Sequence, residues 1–196
     1  NCWKACGFKV PKRDRIRRII GLPWEESIRE LIPDAGETEI TQIRQFYQKS
    51  VSEGCNENFD QQSLFPGVLE VLNSVESAGF LMAIITSRNS IRLEEILEGH
   101  GINNRFVTLK TTDDGPGKPD PFLMLQTLEE TGINKENAVM VGDTTFDILM
   151  ARSAGTAAIG VSWGVHKIKD LLEAGADRVV EEIAVLPEAI EHLIPR

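Results

Sequence analysis

Two carboxylates, one helical turn apart, follow a short apolar segment in the second half of the chain. The apolar residues at 139–141 predict a buried strand that ends at Gly142. Asp143 then stands at the carboxyl end of this strand, and Asp147 follows inside a predicted helix. Open α/β sheets bind their ligands in the crevice at this end of the strands. Two hard oxygen donors there suit Mg²⁺, which also takes phosphate oxygens and water.

A lysine and two hydroxyl groups occupy comparable turns elsewhere in the chain. Lys118 lies between a glycine and a proline and supplies a positive charge at a rigid turn. The apolar run 79–85 predicts a parallel strand buried on both faces, and it closes on Thr86 and Ser87. A helix is expected shortly afterwards, so these hydroxyls and the free backbone N–H groups predict an anion site. Arg88 would either reach a substrate anion or pair with a surface carboxylate.

Each of these residues also has a purely structural interpretation. Asp143 could cap a helix, and Asp147 could simply favour the helix dipole. Thr86, taken alone, could be an ordinary residue at the end of a strand. Three polar positions at strand ends in one α/β chain favour a phosphate and magnesium site over these separate explanations.

These segments resemble the haloacid dehalogenase superfamily, specifically its phosphatases of the phosphoglycolate phosphatase type. The family's second motif is a Thr or Ser that closes an apolar strand, and Thr86 matches it. Its third motif is a lysine, matched by Lys118, and its fourth is Gly-Asp-x-x-x-Asp, matched at residues 142–147. The resemblance extends from about Leu64 to the end of the chain.

The resemblance implies a Mg²⁺-dependent hydrolase of a small phosphorylated metabolite, acting through an aspartyl-phosphate intermediate. Thr86 would then bind the phosphate, with Ser87 and Arg88 beside it. Lys118 would balance the charge of the nucleophile and of the transition state. Asp143 would be the main Mg²⁺ ligand. Asp147, ranked below it, would contribute to the metal site or would position Lys118 or the metal's waters.

The family's first motif, an Asp-x-Asp-Gly-Thr at the end of the first strand, does not occur in these residues. In the family its first Asp is the nucleophile and its second is the general acid/base. Asp113 and Asp114 are adjacent carboxylates, but they lie in a polar loop without strand context. The opening segment 1–7 instead resembles the first helix of the cap, which follows that motif.

We therefore expect these 196 residues to be part of a longer protein. Alone they should be inactive and poorly folded, because the sheet would lack its central strand. A shortened, catalytically dead relative is the alternative.

Alternating strand and helix patterns after residue 64 predict an α/β fold with a Rossmann-like parallel sheet and right-handed crossovers. Residues 1–63 carry helical periodicity only, which predicts a small all-helical cap domain. Residues 64–196 then form the α/β core domain, and Leu64–Gly67 is expected to act as a hinge. The length and the 41% hydrophobic content suit one such domain with a small insert.

The formal net charge of −9 conceals a basic segment, because residues 1–20 hold seven basic side chains and one acidic one. Such a run can signal nucleic-acid binding. Ile16, Ile19 and Ile20 give the segment an apolar helical face, however, and no aromatic side chains alternate with the arginines to stack bases. A solvated helix face is favoured, and no nucleic-acid partner is expected.

Three cysteines, at positions 2, 6 and 55, form no paired framework. Cys2 and Cys6 have the spacing of half a metal site, but no second pair completes it, so packing roles are favoured. Nothing resembles a signal peptide, and no apolar run is long enough to span a membrane. We expect a cytoplasmic protein without a membrane partner, as a monomer or a homodimer.

Three other functions remain open. A hexose-phosphate mutase would share all the core motifs. A metal-free dehalogenase would use the same fold, although the Asp143 and Asp147 pair favours metal-dependent phosphoryl chemistry. A non-catalytic binding protein becomes the interpretation if the chain is complete. The choice of phosphate ester depends, in the resembling family, on the shape of the cap loops.

Overall fold

The computed structural model describes Trp3, residues 7–52 and residues 63–194. The chain divides into two compact units. The first comprises Asn1–Ile20 and Trp24–Leu64, and the second comprises Gly21–Pro23 and Phe65–Arg196. The short segment 21–23 therefore clusters with the α/β residues, although the sequence analysis assigned it to the cap. The three cysteines lie outside the described residues.

The described part of the first unit is helical. Its helices are α1 (Arg13–Ile19), α2 (Trp24–Leu31) and α3 (Glu37–Ser52). Ile28, Ile40 and Ile43 form its buried core, with partly buried aromatic side chains packed against them. α2 and α3 thus bury apolar side chains against each other, as amphipathic helices do, whereas α1 has no buried residue.

The second unit contains five parallel strands in its described residues. They are β1 (Ala83–Ile85), β2 (Thr108–Lys110), β3 (Val139–Gly142), β4 (Ala157–Val161) and β5 (Arg178–Val180). β1 pairs with β2, and β3, β4 and β5 pair in that order. All three pairings are parallel. The prediction of parallel α/β architecture is confirmed.

Helices connect these strands. They are α4 (Val68–Ser77), α5 (Ser90–Gly99), α6 (Phe122–Thr131), α7 (Thr145–Ala154), α8 (Ile168–Glu173) and α9 (Leu186–Leu193). Short 3₁₀ turns lie at Asn103–Arg105, Lys135–Asn137 and Ile183–Val185. Pro121 is the N-cap residue of α6. In the part of the chain that the structure describes, no helix is long and apolar enough to cross a bilayer.

The core of the second unit surrounds β4. Ala158 and Ile159 on this strand are fully buried. α7 and α8 cover Ala158 through Ile148 and Leu171. α4 and α9 belong to a second cluster that includes Ile159. β4 therefore has a strand on each edge and helices on both faces, as expected of the middle of a parallel sheet.

The described strands form two sheets, one of β1 and β2 and one of β3, β4 and β5. No hydrogen-bonded pairing joins β1 to β3 among the described strands. A cavity of about 750 Å³ lies between them, bordered by β1 on one side and β3 on the other. Ala83 on β1 is exposed, whereas a strand inside a parallel sheet is normally buried. We call the space bordered by residues 83–85 and 139–141 the inter-sheet slot.

Candidate active site

Asp143 is held by a loop that follows the neighbouring strand. β3 ends at Gly142, and the Asp143 carboxylate accepts a hydrogen bond from the Val165 N–H at 2.8 Å. The Asp143 carbonyl accepts a second one from the His166 N–H at 3.0 Å. A Cβ atom at Gly164 would overlap the Asp143 side chain. The loop 164–166 thus requires glycine where it closes on Asp143.

Asp147 combines a structural role with an ion pair. Thr144 is the N-cap of α7 and forms a capping box with Asp147. One Asp147 oxygen accepts hydrogen bonds from the Thr144 N–H at 3.0 Å and hydroxyl at 2.6 Å. The other lies 2.5 Å from the Lys118 ammonium. The Lys118 and Asp147 side chains are 12% and 4% exposed. Asp147 therefore holds Lys118 in position and also caps α7. Asp143 takes part in neither interaction.

His166 joins the same loop to the start of α7. Its Nδ1 atom accepts a hydrogen bond from the Thr145 N–H at 2.9 Å. Its ring meets Phe146 edge-on, with centroids 5.7 Å apart. The sequence analysis did not single out His166. The available signal was its position just beyond β4, since parallel strands end at the same edge of a sheet.

Thr86 follows β1 directly, as predicted. Its N–H donates to the Lys110 carbonyl at 2.9 Å, which continues the pairing with β2. Its hydroxyl oxygen accepts from the Arg88 N–H at 3.3 Å. The Ser87 hydroxyl donates to the Gly21 carbonyl at 2.5 Å. Arg88 also accepts a hydrogen bond at its carbonyl from the Thr112 N–H.

The segment 21–23 packs on the loops that carry Lys118 and Asp143. A Cβ at Gly21, where φ is +110°, would come within 3.0 Å of the Thr144 hydroxyl. A Cβ at Gly117 would come within 2.6 Å of Pro23. Both glycines allow close approach of backbone segments. Sequence reasoning missed this segment, because its contacts connect residues far apart in the chain.

Asp113 and Asp114 have structural partners. Asp113 accepts hydrogen bonds from the Ser90 N–H at 2.9 Å and hydroxyl at 2.8 Å. These bonds hold the pKa of Asp113 below its usual value. Asp114 accepts from the N–H and hydroxyl of Thr111, both at 2.8 Å. The two carboxylates thus organise the loop after β2.

Lys118, Asp143 and Asp147 line one end of the inter-sheet slot. Ile85, which directly precedes Thr86, lines the same slot. The structure therefore brings the predicted lysine and both aspartates together. Thr86 stands at the adjoining strand end.

The carboxylate donors at this end suit one magnesium ion. Among the described residues, no three His, Cys, Asp or Glu side chains cluster as a complete metal site. Mg²⁺ needs no such cluster, because it binds through one or two carboxylates plus phosphate oxygens and water. Asp143 would be the direct ligand, since both Asp147 oxygens already accept hydrogen bonds. The residues present fit Mg²⁺ in donor type.

A parallel α/β unit that carries a lysine and two aspartates in the segments after its strands is typical of one class of hydrolases. Residues 1–161 match the haloacid dehalogenase-like hydrolase family. The chain belongs to this family, as its motifs indicated. Several of the proteins that it resembles are named as phosphatases.

Similar proteins agree with this assignment. "Probable phosphatase IndB" of Dickeya dadantii is 33% identical over 95% of this chain and 83% of its own length. A phosphoglycolate phosphatase of Agrobacterium fabrum is 30% identical over 98% of this chain and 83% of its own length. A hydrolase from Pseudomonas syringae has the same fold, with a TM-score of 0.83 at 23% identity over 98% of this chain and 88% of its own.

A structure named as a candidate β-phosphoglucomutase, from Thermotoga maritima, is also similar. Its TM-score is 0.63 at 27% identity, covering 98% of this chain and 88% of that chain.

Proposed function

We propose that the protein hydrolyses small phosphomonoesters of the phosphoglycolate type with Mg²⁺. The observation that carries this proposal is the arrangement of Lys118, Asp143 and Asp147 at one end of a single slot. A buried ammonium beside a carboxylate that suits Mg²⁺ is the chemistry that a phosphate dianion needs. The relative from Agrobacterium fabrum, a phosphoglycolate phosphatase, supports this substrate class.

Each described residue has a separate task in this proposal. The Thr86 hydroxyl and the Ser87 N–H would bind phosphate oxygens. Lys118, oriented by Asp147, would balance negative charge on the nucleophile and the transferring phosphoryl group. Asp143 would hold Mg²⁺, which supplies charge neutralisation at the phosphate when bound. Val165 and His166 would keep Asp143 in place.

The nucleophile in this proposal is an aspartate carboxylate, as the resemblance to the family implies. Its carboxylate oxygen would form a bond to phosphorus while the bond from phosphorus to the ester oxygen breaks, and the alcohol leaves with a proton. Water would then attack the aspartyl-phosphate, which releases inorganic phosphate and restores the carboxylate. Asp113 and Asp114 do not qualify, since both are engaged in the loop after β2.

A phosphomutase is the second candidate, favoured by the similarity to the Thermotoga maritima structure. The two activities differ in the fate of the phosphoryl group. A mutase returns it to another hydroxyl of the sugar, whereas a phosphatase gives it to water. Product analysis with hexose phosphates separates them.

The native gene product should be assayed on p-nitrophenyl phosphate, phosphoglycolate and hexose phosphates, with Mg²⁺ and with EDTA. We expect phosphate release that EDTA abolishes. Asp143→Asn should lower kcat/KM by roughly 100-fold or more, because charge-stabilising groups at a phosphoryl site are worth that much. Asp170→Asn, on the exposed surface of α8, should leave the rate unchanged. Turnover in EDTA would refute the magnesium role, and no turnover on any phosphate would refute the activity.

A further inference from the structure

The start of α7 receives a hydrogen-bond acceptor from a loop far along the chain. The first N–H groups of a helix have no partner within the helix. The Thr144 hydroxyl accepts from one of them, the Asp147 N–H, at 3.3 Å. The Thr145 N–H donates instead to the Nδ1 atom of His166, at 2.9 Å and across 21 positions of sequence. The His166 side chain therefore completes a helix terminus to which it does not belong.

The backbone of the same residue holds the proposed Mg²⁺ ligand. The His166 N–H donates to the Asp143 carbonyl at 3.0 Å, and the Val165 N–H donates to the Asp143 carboxylate at 2.8 Å. Both donors belong to the segment 162–167, which follows β4 and lies in neither a helix nor a strand. The ladder of a regular element therefore does not fix this backbone. The position of the Asp143 carboxylate depends on the contacts that hold the loop.

Two features of the His166 side chain tie this loop to α7. One is the Nδ1 atom, which accepts from the Thr145 N–H. The other is the ring, which meets Phe146 edge-on with the ring planes at 63°. An N–H···N or N–H···O bond holds its two heavy atoms about 2.9 Å apart and requires a nearly straight angle. An aromatic pair tolerates centroid separations of about 4.5–7 Å. The hydrogen bond is therefore the tighter constraint on the loop.

We infer that the His166 imidazole is a positioning residue, which holds the Asp143 carboxylate in place for Mg²⁺ through the acceptor atom Nδ1. It acts through the loop 164–166 and the start of α7. This role rests on the proposed function, because Asp143 is there the Mg²⁺ ligand. Removal of a group that orients a metal ligand typically weakens metal binding by about 10- to 100-fold. The imidazole therefore sets the Mg²⁺ affinity of the site.

Three substitutions separate the acceptor atom from the aromatic ring. His166→Asn keeps an acceptor near the position of Nδ1, because the amide oxygen of asparagine and Nδ1 of histidine are both bonded to Cγ. His166→Phe keeps a ring that can pack against Phe146 and removes the acceptor. His166→Ala removes both. His192→Phe, at an exposed position on α9, is the matched control for the change from histidine to phenylalanine.

Amide hydrogen exchange in the metal-free native gene product is the first measurement. The amides of residues 165 and 166 donate to Asp143, so their exchange reports how firmly that residue is held. We expect His166→Phe and His166→Ala to accelerate exchange at both amides roughly tenfold or more, and His166→Asn to accelerate it less than about threefold. Slow exchange in β4 shows that a variant is folded. Equal rates in His166→Phe and His166→Asn would overturn the inference.

Mg²⁺ affinity is the second measurement. Calorimetric titration of MgCl₂ into each protein, without substrate, gives the Kd. We expect the Kd to rise roughly tenfold or more in His166→Phe and His166→Ala, and to stay within about threefold of the native value in His166→Asn. His192→Phe should bind Mg²⁺ like the native protein. Raising the Mg²⁺ concentration should restore most of the kcat of His166→Phe, because the defect lies in metal affinity.

The outcomes distinguish this role from the proposed function. Mg²⁺ binding by the native protein, together with an unchanged Kd in His166→Phe, refutes the positioning role and leaves the proposed function intact. A native protein that binds no Mg²⁺ refutes the metal role in the proposed function, and the inference with it. If His166→Ala does not fold, the comparison of His166→Phe with His166→Asn decides, since these two variants differ in the acceptor and the ring.

Discussion

At the scale of single residues, the site depends on a buried ion pair that also caps a helix. Lys118 has one carboxylate partner in the described structure, Asp147, which also accepts hydrogen bonds from Thr144. The sequence predicted both charges and their proximity, because the resemblance to the family implied that Asp147 would contribute to the metal site or position Lys118. The loop 164–166 and segment 21–23 were missed, since close backbone approach by glycine leaves no periodic pattern in a sequence.

We expect the contributions of Lys118 and Asp147 to the free energy of unfolding to be coupled. Asp147→Asn keeps an acceptor for Thr144 but leaves the buried Lys118 charge unpaired, so it should cost about 3–5 kcal/mol of unfolding free energy. Adding Lys118→Met should recover a large part of that loss. Urea unfolding of the two single variants and the double variant gives the coupling. Strictly additive losses would show that the pair is not coupled.

We expect Gly164 to be required for activity, because it lies against the Asp143 side chain. A Cβ there would overlap the Asp143 side chain, so Gly164→Ala must displace either the carboxylate or its loop. We expect roughly a 100-fold loss of kcat/KM, as for removal of a preorganised charged group. Gly99→Ala is the matched control, since nothing lies within 4 Å of a Cβ at that position. A Gly164→Ala enzyme with normal kinetics would contradict this account of the loop.

At the scale of secondary-structure elements, the sequence located most strands and helices, and the differences have local causes. The run 79–85 predicted a long strand, yet only Ala83–Ile85 is paired, because β1 has one hydrogen-bonded neighbour in the described residues. β2 is paired only at Thr108–Lys110. Its register is set by contacts with β1 that the sequence does not show.

An ion pair between Lys110 on β2 and Glu130 on α6 joins these two elements, and its strength should depend on pH. The Glu130 carboxylate lies 2.5 Å from the Lys110 ammonium and 2.8 Å from the Thr108 hydroxyl. The hydrogen bond from Lys110, followed by the weaker effect of the one from Thr108, holds the pKa of Glu130 below its usual value. A carboxylate whose pKa is lower in the folded state stabilises the fold above its unfolded pKa. That contribution disappears as the pH falls through the folded pKa.

Glu130→Gln should therefore lower the thermal midpoint at neutral pH, where Lys110, with a side chain only 8% exposed, loses its counter-charge. The difference from the unsubstituted protein should shrink below about pH 4, the ordinary range for carboxylate protonation. Thermal unfolding followed by circular dichroism across this range is the measurement. Glu129→Gln, at the exposed neighbouring position, serves as the control. A deficit that persists at low pH would contradict the electrostatic explanation.

At the scale of the whole molecule, the α/β class and the position of the site at the strand ends were predictable, and the pairing and register of the individual strands were not. Periodicity identifies strands but does not show which edges pair. Among the described strands, β1 and β3 border the inter-sheet slot and are not paired with each other. Each buried backbone group left without a partner there would cost about 1–3 kcal/mol, a large share of a typical stability of about 5–15 kcal/mol.

This uneven pairing predicts a gradient of hydrogen exchange across the second unit of the 196-residue chain. Amides of β4 should exchange slowest, since Ala158 and Ile159 are fully buried and β4 is paired on both edges. The slot-facing amides of Ala83 and Val141 should exchange fastest among the strands, because opening them breaks no described pairing. Exchange followed by NMR at single-residue resolution measures both. Protection at Ala83 and Val141 equal to that of β4 would mean that these edges are already paired, and that the sheet is continuous in solution.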